Sequence, residues 1–116
     1  MSRGKLGFPK DSRLLRRPEF LAVKASGQGF AEGPLAASYR PRKGAVRVGL
    51  TVSTKVGGSV VRNQVKRRLR EAVRHELGSL PAVDLVIVAR ASSVHAGVPE
   101  FRTWLRRACV RMRGGS

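Results

Sequence analysis

The sequence predicts an α+β domain, with helices packed on a small sheet, and three observations carry that prediction. Apolar residues alternate with a period of two from Val46 to Ser53, and the period turns helical from Ser59 to about Leu77. The apolar run Leu85 to Ala89 then gives way to a second helical stripe from Phe101 to Met112. A chain of 116 residues suits one compact domain of this kind. We read 1–10 as a flexible basic arm, 11–113 as the single folded domain and 114–116 as a tail.

The elements follow in order. Pro18 at a first helical position, then Glu19, Phe20, Leu21 and Val23, closed by Gly27, reads as a short helix of about nine residues. Leu35 to Tyr39 is a strand, and Pro41 to Ala45 a basic turn. In the next strand Val46, Val48, Leu50 and Val52 point one way while Arg47, Gly49, Thr51 and Ser53 point the other. Lys55 to Gly58 breaks it. In the middle helix Val61, Val65, Leu69, Ala72 and Val73 recur at helical spacing, with Ser59 placed to cap the start and Gly78 the end.

Asp84 to Arg90 contains the run Leu85, Val86, Ile87, Val88 and Ala89, the mark of a strand buried on both faces and central in its sheet. A last helix from about Pro99 gathers Phe101, Trp104, Leu105, Ala108, Cys109 and Met112 on one side and arginines on the rest. Helical spacing assigns Phe101 and Trp104 to the core. The order is helix, two or three strands, helix, strand, helix.

Charge narrows the function. Lys and Arg number 24 against 7 Asp and Glu, a formal net charge of +17 that calls for a polyanionic partner. No apolar run approaches the roughly 20 residues of a membrane-spanning helix, and Met1 to Lys10 lacks the apolar core of a signal peptide, so a cytoplasmic protein with no membrane partner is expected. The one cysteine, Cys109, excludes an internal disulfide and a cysteine-built zinc site.

The middle helix concentrates that charge. Arg62, Asn63, Lys66, Arg67, Arg70 and Arg74 fall within an arc of roughly 140° beside the apolar stripe, and no acid interrupts it. Glu71 lies just beyond one edge, within i, i+4 reach of Arg67, and Glu76 lies on the apolar side. Lys55 and the Gly57-Gly58 pair lead into the helix, where glycines let a nucleic-acid backbone approach and first-turn N–H groups add partial positive charge. Asn63 adds a group that both donates and accepts, suited to a ribose hydroxyl or base edge.

The run from Arg47 through Val48-Gly49-Leu50-Thr51-Val52-Ser53, Lys55, Gly57-Gly58 and Arg62-Asn63-Gln64-Val65-Lys66-Arg67 to Glu71 resembles the signature of the bacterial ribonuclease P protein component. Arg13-Leu14 leading to Glu19-Phe20, and Asp84 to Arg90, match the same family in the same order. The resemblance implies an αβββαβα fold, a small mixed/antiparallel four-stranded sheet with three helices and a left-handed βαβ crossover. It implies an RNA-binding domain that is the non-catalytic protein subunit of an endoribonuclease. The RNA subunit, with its Mg2+, is the catalyst that removes the 5′ leader of precursor tRNA by hydrolysis.

On this resemblance Lys55, Arg62, Asn63, Lys66, Arg67, Arg70 and Arg74 bind the RNA subunit, and Phe20, Lys24, Arg13 and Arg90 bind the leader. The expected partners are the RNA subunit and precursor tRNA, with a monomeric protein in a 1:1 complex. Gln64 stands where the family often has a further arginine, Lys24 where it often has a second aromatic, and Ala36 and Ser38 where it has larger cleft residues.

Two other classes fit parts of the sequence. A ribosomal protein or general RNA chaperone would share the electrostatics. An autonomous metal-dependent nuclease would need carboxylates converging on a cation, and no motif groups Asp11, Glu19, Glu32, Glu71, Glu76, Asp84 and Glu100. His75 and His95 are likewise isolated, and no phosphate-binding loop spacing surrounds Gly57. No catalytic residue and no metal site are expected in the protein itself.

Overall fold

A computed structural model describes residues 17–114. In chain order it contains α1 (Arg17–Ser26), β1 (Gln28–Glu32), β2 (Leu35–Pro41), β3 (Arg47–Val52), α2 (Ser59–Glu76), β4 (Val83–Ala89) and α3 (Val98–Gly114). The strands form one sheet in the order β1-β2-β4-β3. β4 runs antiparallel to β2, from Leu35 opposite Ala89 to Pro41 opposite Val83. It runs parallel to β3, from Arg47 beside Asp84 to Val52 beside Ala89, and α2 makes the crossover between these two. The central place and two-sided burial expected of the Leu85 to Ala89 run are both observed.

The alternation in β3 divides the sheet into two unequal faces. Leu35, Ala37, Tyr39, Val48, Leu85 and Ile87 join the large core beneath α2 and α3, which supply Val65, Leu69, Phe101, Trp104 and Leu105. On the other face Val86 meets Val23 of α1, with Phe20 and Val88 packed around them. α1 thus rests on a much smaller apolar contact than the other two helices, and it leaves part of its sheet face open.

Polar contacts tie the layers together. Asp84 is buried and takes ion pairs from Arg47 at 3.0 Å, Arg42 at 3.3 Å and Arg40 at 3.4 Å. Burial would push its carboxyl pKa up, but the hydrogen bonds and charge of Arg47, then Arg42, outweigh it and hold the group below the usual aspartate range. Arg47 also reaches Glu19 at 3.1 Å, pinning α1 to the sheet. Between α2 and α3, buried Glu76 pairs with Arg102 at 2.8 Å and Arg106 at 3.1 Å.

Several details differ from the sequence reading. β1 has no pattern of its own: only Phe30 is half-buried and its other residues are exposed, because β1 is an edge strand held by its ladder to β2. Gly58, not Ser59, is the N-cap of α2, and Ser59 is already helical. Gly78 does not close that helix in a left-handed conformation, since the positive-φ glycines among the described residues are Gly33, Gly44 and Gly57. The chain instead tightens into a 3-10 turn, Leu77–Ser79, that delivers Leu80 to the core. Helix α3 runs through Gly114, one residue into the expected tail. The arm at 1–10 and Arg13 lie outside the described residues. Among the described residues no helix is long and apolar enough to cross a membrane.

Candidate nucleic-acid interface

Helix α2 is oriented by its buried stripe. Val65, Leu69, Ala72, Val73 and Glu76 face the core, so Asn63, Arg67 and Arg70 are exposed while Arg62 and Lys66 are half-exposed at the flank. The entry is shaped by Ser53, whose hydroxyl accepts the Lys55 N–H at 3.1 Å, and by Gly57 at φ 151°. A Cβ at Gly57 would also lie 3.2 Å from the Val61 side chain, so this glycine serves both the turn and a close approach. Arg62 donates from Nε to the Gly57 carbonyl at 3.1 Å, which stiffens the junction between loop and helix.

What separates α2 from α3 is where the arginines spend their hydrogen bonds. On α3, Arg102 and Arg106 are bound to Glu76, Arg107 to Glu32 at 3.0 Å, and Arg113 to the Ser79 carbonyl at 2.7 Å. Arg111 lies 4.6 Å above the Phe30 ring. Every one of them is committed inside the protein. On α2, Lys66, Arg67 and Arg70 have no acidic partner among the described residues. Shallow hollows lined by Asn63, Gln64, Lys66, Arg67 and Arg70, and by Leu50, Thr51, Val52, Arg62, Asn63 and Lys66, run along this face.

Glu71 does not take Arg67, the partner its spacing allowed. It pairs instead with Arg74 and, at 3.0 Å, with His75. The hydrogen bond from His75, with the charge of Arg74, holds the Glu71 carboxyl below the usual glutamate range, while partial desolvation opposes them. The consequence favours an anion site, because the acid that could have neutralised the middle of the arc is drawn to its C-terminal end. Among the described residues Arg74 is thereby the one arc residue with an ion pair inside the protein.

A second feature lies between α1 and the sheet. Phe20, Leu21, Lys24, Leu50, Thr51 and Val86 line a cleft of about 340 Å³. Phe20 and Lys24, two of the residues assigned to the leader, come together there. Arg90 does not line it; its guanidinium donates to the Gly33 carbonyl at 3.2 Å, at the β1–β2 turn. Leu21, Leu50 and Thr51 were not singled out from the sequence for this cleft. Thr51 could have been, since strand alternation puts it on the same side as Gly49. A larger hollow of about 520 Å³ by the start of α3 carries Glu100 and the Glu32-paired Arg107, so it lacks the surplus positive charge of the α2 face.

Among the described residues no three His, Cys, Asp or Glu side chains cluster as a metal site. The described surface therefore offers two features suited to RNA: a basic helical face and a cleft whose lining combines the Phe20 ring and aliphatic side chains with Lys24 and Thr51.

The model of the ribonuclease P family matches residues 8–113. The chain belongs to the ribonuclease P protein family. The ribonuclease P protein component of Citrifermentans bemidjiense is 40% identical over 107 residues, covering 91% of this chain and 92% of that protein. That of Desulfatibacillum aliphaticivorans is 34% identical over 115 residues, covering 97% and 98%. Among solved structures, the ribonuclease P protein of Thermotoga maritima, in complex with 1-(4-fluorophenyl)-2-thiourea, matches with a TM-score of 0.74 at 26% identity, over 84% of this chain and 98% of that one. The Staphylococcus aureus protein, at 22% identity and a TM-score of 0.75 over 88% and 94%, shares the fold. Membership of the ribonuclease P family places the chain in tRNA processing, within a ribonucleoprotein nuclease, and sets aside the ribosomal-protein reading.

Proposed function

We propose that this ribonuclease P protein component binds the RNA subunit through the basic face of α2 and the unpaired 5′ leader of precursor tRNA in the cleft under α1, so that the RNA subunit hydrolyses the leader off. The single observation that carries the reading is the contrast between the helices: α3 engages its arginines in contacts within the protein, whereas α2 presents Lys66, Arg67 and Arg70 without an acidic partner among the described residues.

The division of labour follows from the side chains. Guanidinium groups of Arg62, Arg67 and Arg70 suit two-pronged contacts to phosphate, Lys66 and Lys55 add point charge, and Asn63 can meet a ribose hydroxyl or base edge. In the cleft, Phe20 offers an aromatic surface to a leader base and Lys24 a phosphate contact. Mg2+ on the RNA subunit supplies the Lewis acid and the activated water. The protein's residues bind, orient and screen charge, lowering the Mg2+ concentration at which substrate is held. We place the protein in the cytoplasm as a monomer bound to one RNA subunit.

The test adds the purified chain to a bacterial ribonuclease P RNA and precursor tRNA at low Mg2+. The expected result is leader cleavage that depends on both RNA and protein. Unchanged cleavage on adding the protein contradicts the proposal, and cleavage by protein alone replaces it with an autonomous nuclease.

A further inference from the structure

The α1-facing side of β3 has an oddity at its centre. Gly49 is buried in an otherwise ordinary strand, paired with Val86 of β4. Glycine weakens a strand, having no side chain to pack and more backbone freedom to lose. The backbone does not need it here, because Gly49 is not among the positive-φ glycines. The space does. A Cβ at Gly49 would lie 2.6 Å from Phe20 Cζ and 3.0 Å from both Cε atoms, so the tip of the ring occupies the place where any other residue would carry its side chain.

This contact sets the geometry of the cleft. Phe20 and Val23 are the apolar residues of α1 in its small core with Val86 and Val88, and Phe20 also lines the cleft with Leu21, Lys24, Leu50 and Thr51. The depth at which the ring seats against β3 therefore fixes both the lie of α1 and the aromatic surface that the cleft presents. We infer that Gly49 is a positioning residue for the leader: by having no side chain it lets the Phe20 ring sink tip-first against β3, which holds the cleft open beside it for an unstacked base. The inference rests on the leader reading of this cleft. Gly49 touches no RNA itself and acts through Phe20.

The experiment uses holoenzyme reconstituted from the full chain and a bacterial ribonuclease P RNA. It compares affinity for precursor tRNA carrying a leader with affinity for tRNA lacking one, in the parent and in the Gly49→Ala, Phe20→Leu and double variants. A methyl group at Gly49 must displace the ring, so G49A is expected to lose most of the leader-dependent gain, roughly five- to tenfold. Its affinity for leaderless tRNA and its assembly with the RNA subunit should stay at parent values. Leucine at position 20 removes the ring tip and relieves the clash, so the double variant folds even where G49A is impaired, and its leader gain should equal that of F20L alone.

A full leader gain in G49A overturns the inference, as does a double variant clearly weaker than F20L. A parent enzyme with no leader gain overturns the cleft assignment as well. A G49A that loses leaderless affinity and leader affinity in equal measure also counts against positioning.

Discussion

The buried carboxylate of Asp84 is the point at which a small change should have the largest effect on folding. Replacing it by Asn keeps the size of the side chain but removes the charge that Arg40, Arg42 and Arg47 share at 3.0–3.4 Å. Removing one partner of a buried ion pair costs about 3–5 kcal/mol. The three arginine side chains keep 37%, 28% and 27% of their surface in water and can turn outward, so the lower end, about 3 kcal/mol, applies. For a domain of this size that is a fall in Tm of roughly 12–24 °C.

The sign of the pH dependence follows from the depressed pKa of Asp84. Its contribution is present above the unfolded value near about 3.9 and is lost as the pH falls through the lower folded value. Circular-dichroism melts of the free protein between pH 7 and pH 3 measure both effects. A D84N variant melting within a few degrees of the parent at pH 7, or showing the same acid slope, would refute the reasoning.

Other outcomes follow from contacts elsewhere. A Cβ at Gly27 would fall 2.3 Å from the Tyr39 carbonyl oxygen and 2.6 Å from that of Val23, both backbone atoms, so Gly27→Ala should cost about 2 kcal/mol or more in urea unfolding. Glu76→Gln removes the charge between Arg102 and Arg106; since Arg106 is 59% exposed, a loss of about 1–2 kcal/mol is expected, read in the same assay. Arg102→Ala and Arg67→Ala form a contrasting pair. The first should lower stability and leave affinity for the RNA subunit in place, and the second should do the reverse, as filter binding and thermal melts would show.

Much of this architecture is legible in residue patterns because burial writes them. The alternation in β3, the apolar run of β4 and the stripes of α2 and α3 each record which sides meet the core, and each element stands where its pattern put it. β1 left no such record, since only Phe30 of this edge strand packs toward the core and the rest is held by backbone hydrogen bonds that any residue can make. The ends of α2 depart from their pattern for a related reason: Ser59 and Gly78 have the right chemistry for caps, but Gly58 and a 3-10 turn do that work. In the candidate site the basic arc was visible from spacing, whereas the diversion of Glu71 to Arg74 and His75 depends on rotamers. Likewise the commitment of α3's arginines to Glu76, Glu32 and Ser79 joins residues 26 to 75 positions apart in the chain, and no local pattern reports it.

The central claim, that the α2 face is what holds the RNA subunit, is tested most directly by the salt dependence of that binding. Replacing Lys66, Arg67 and Arg70 together with Ala removes three cations that have no acidic partner among the described residues. The plot of log affinity against log salt should flatten by somewhat under one unit per lost phosphate contact, about two to three units in all. Affinity at low salt should fall steeply while the melting temperature holds. A triple variant with the parent's affinity and slope would contradict the account and leave the basic face as merely solvated.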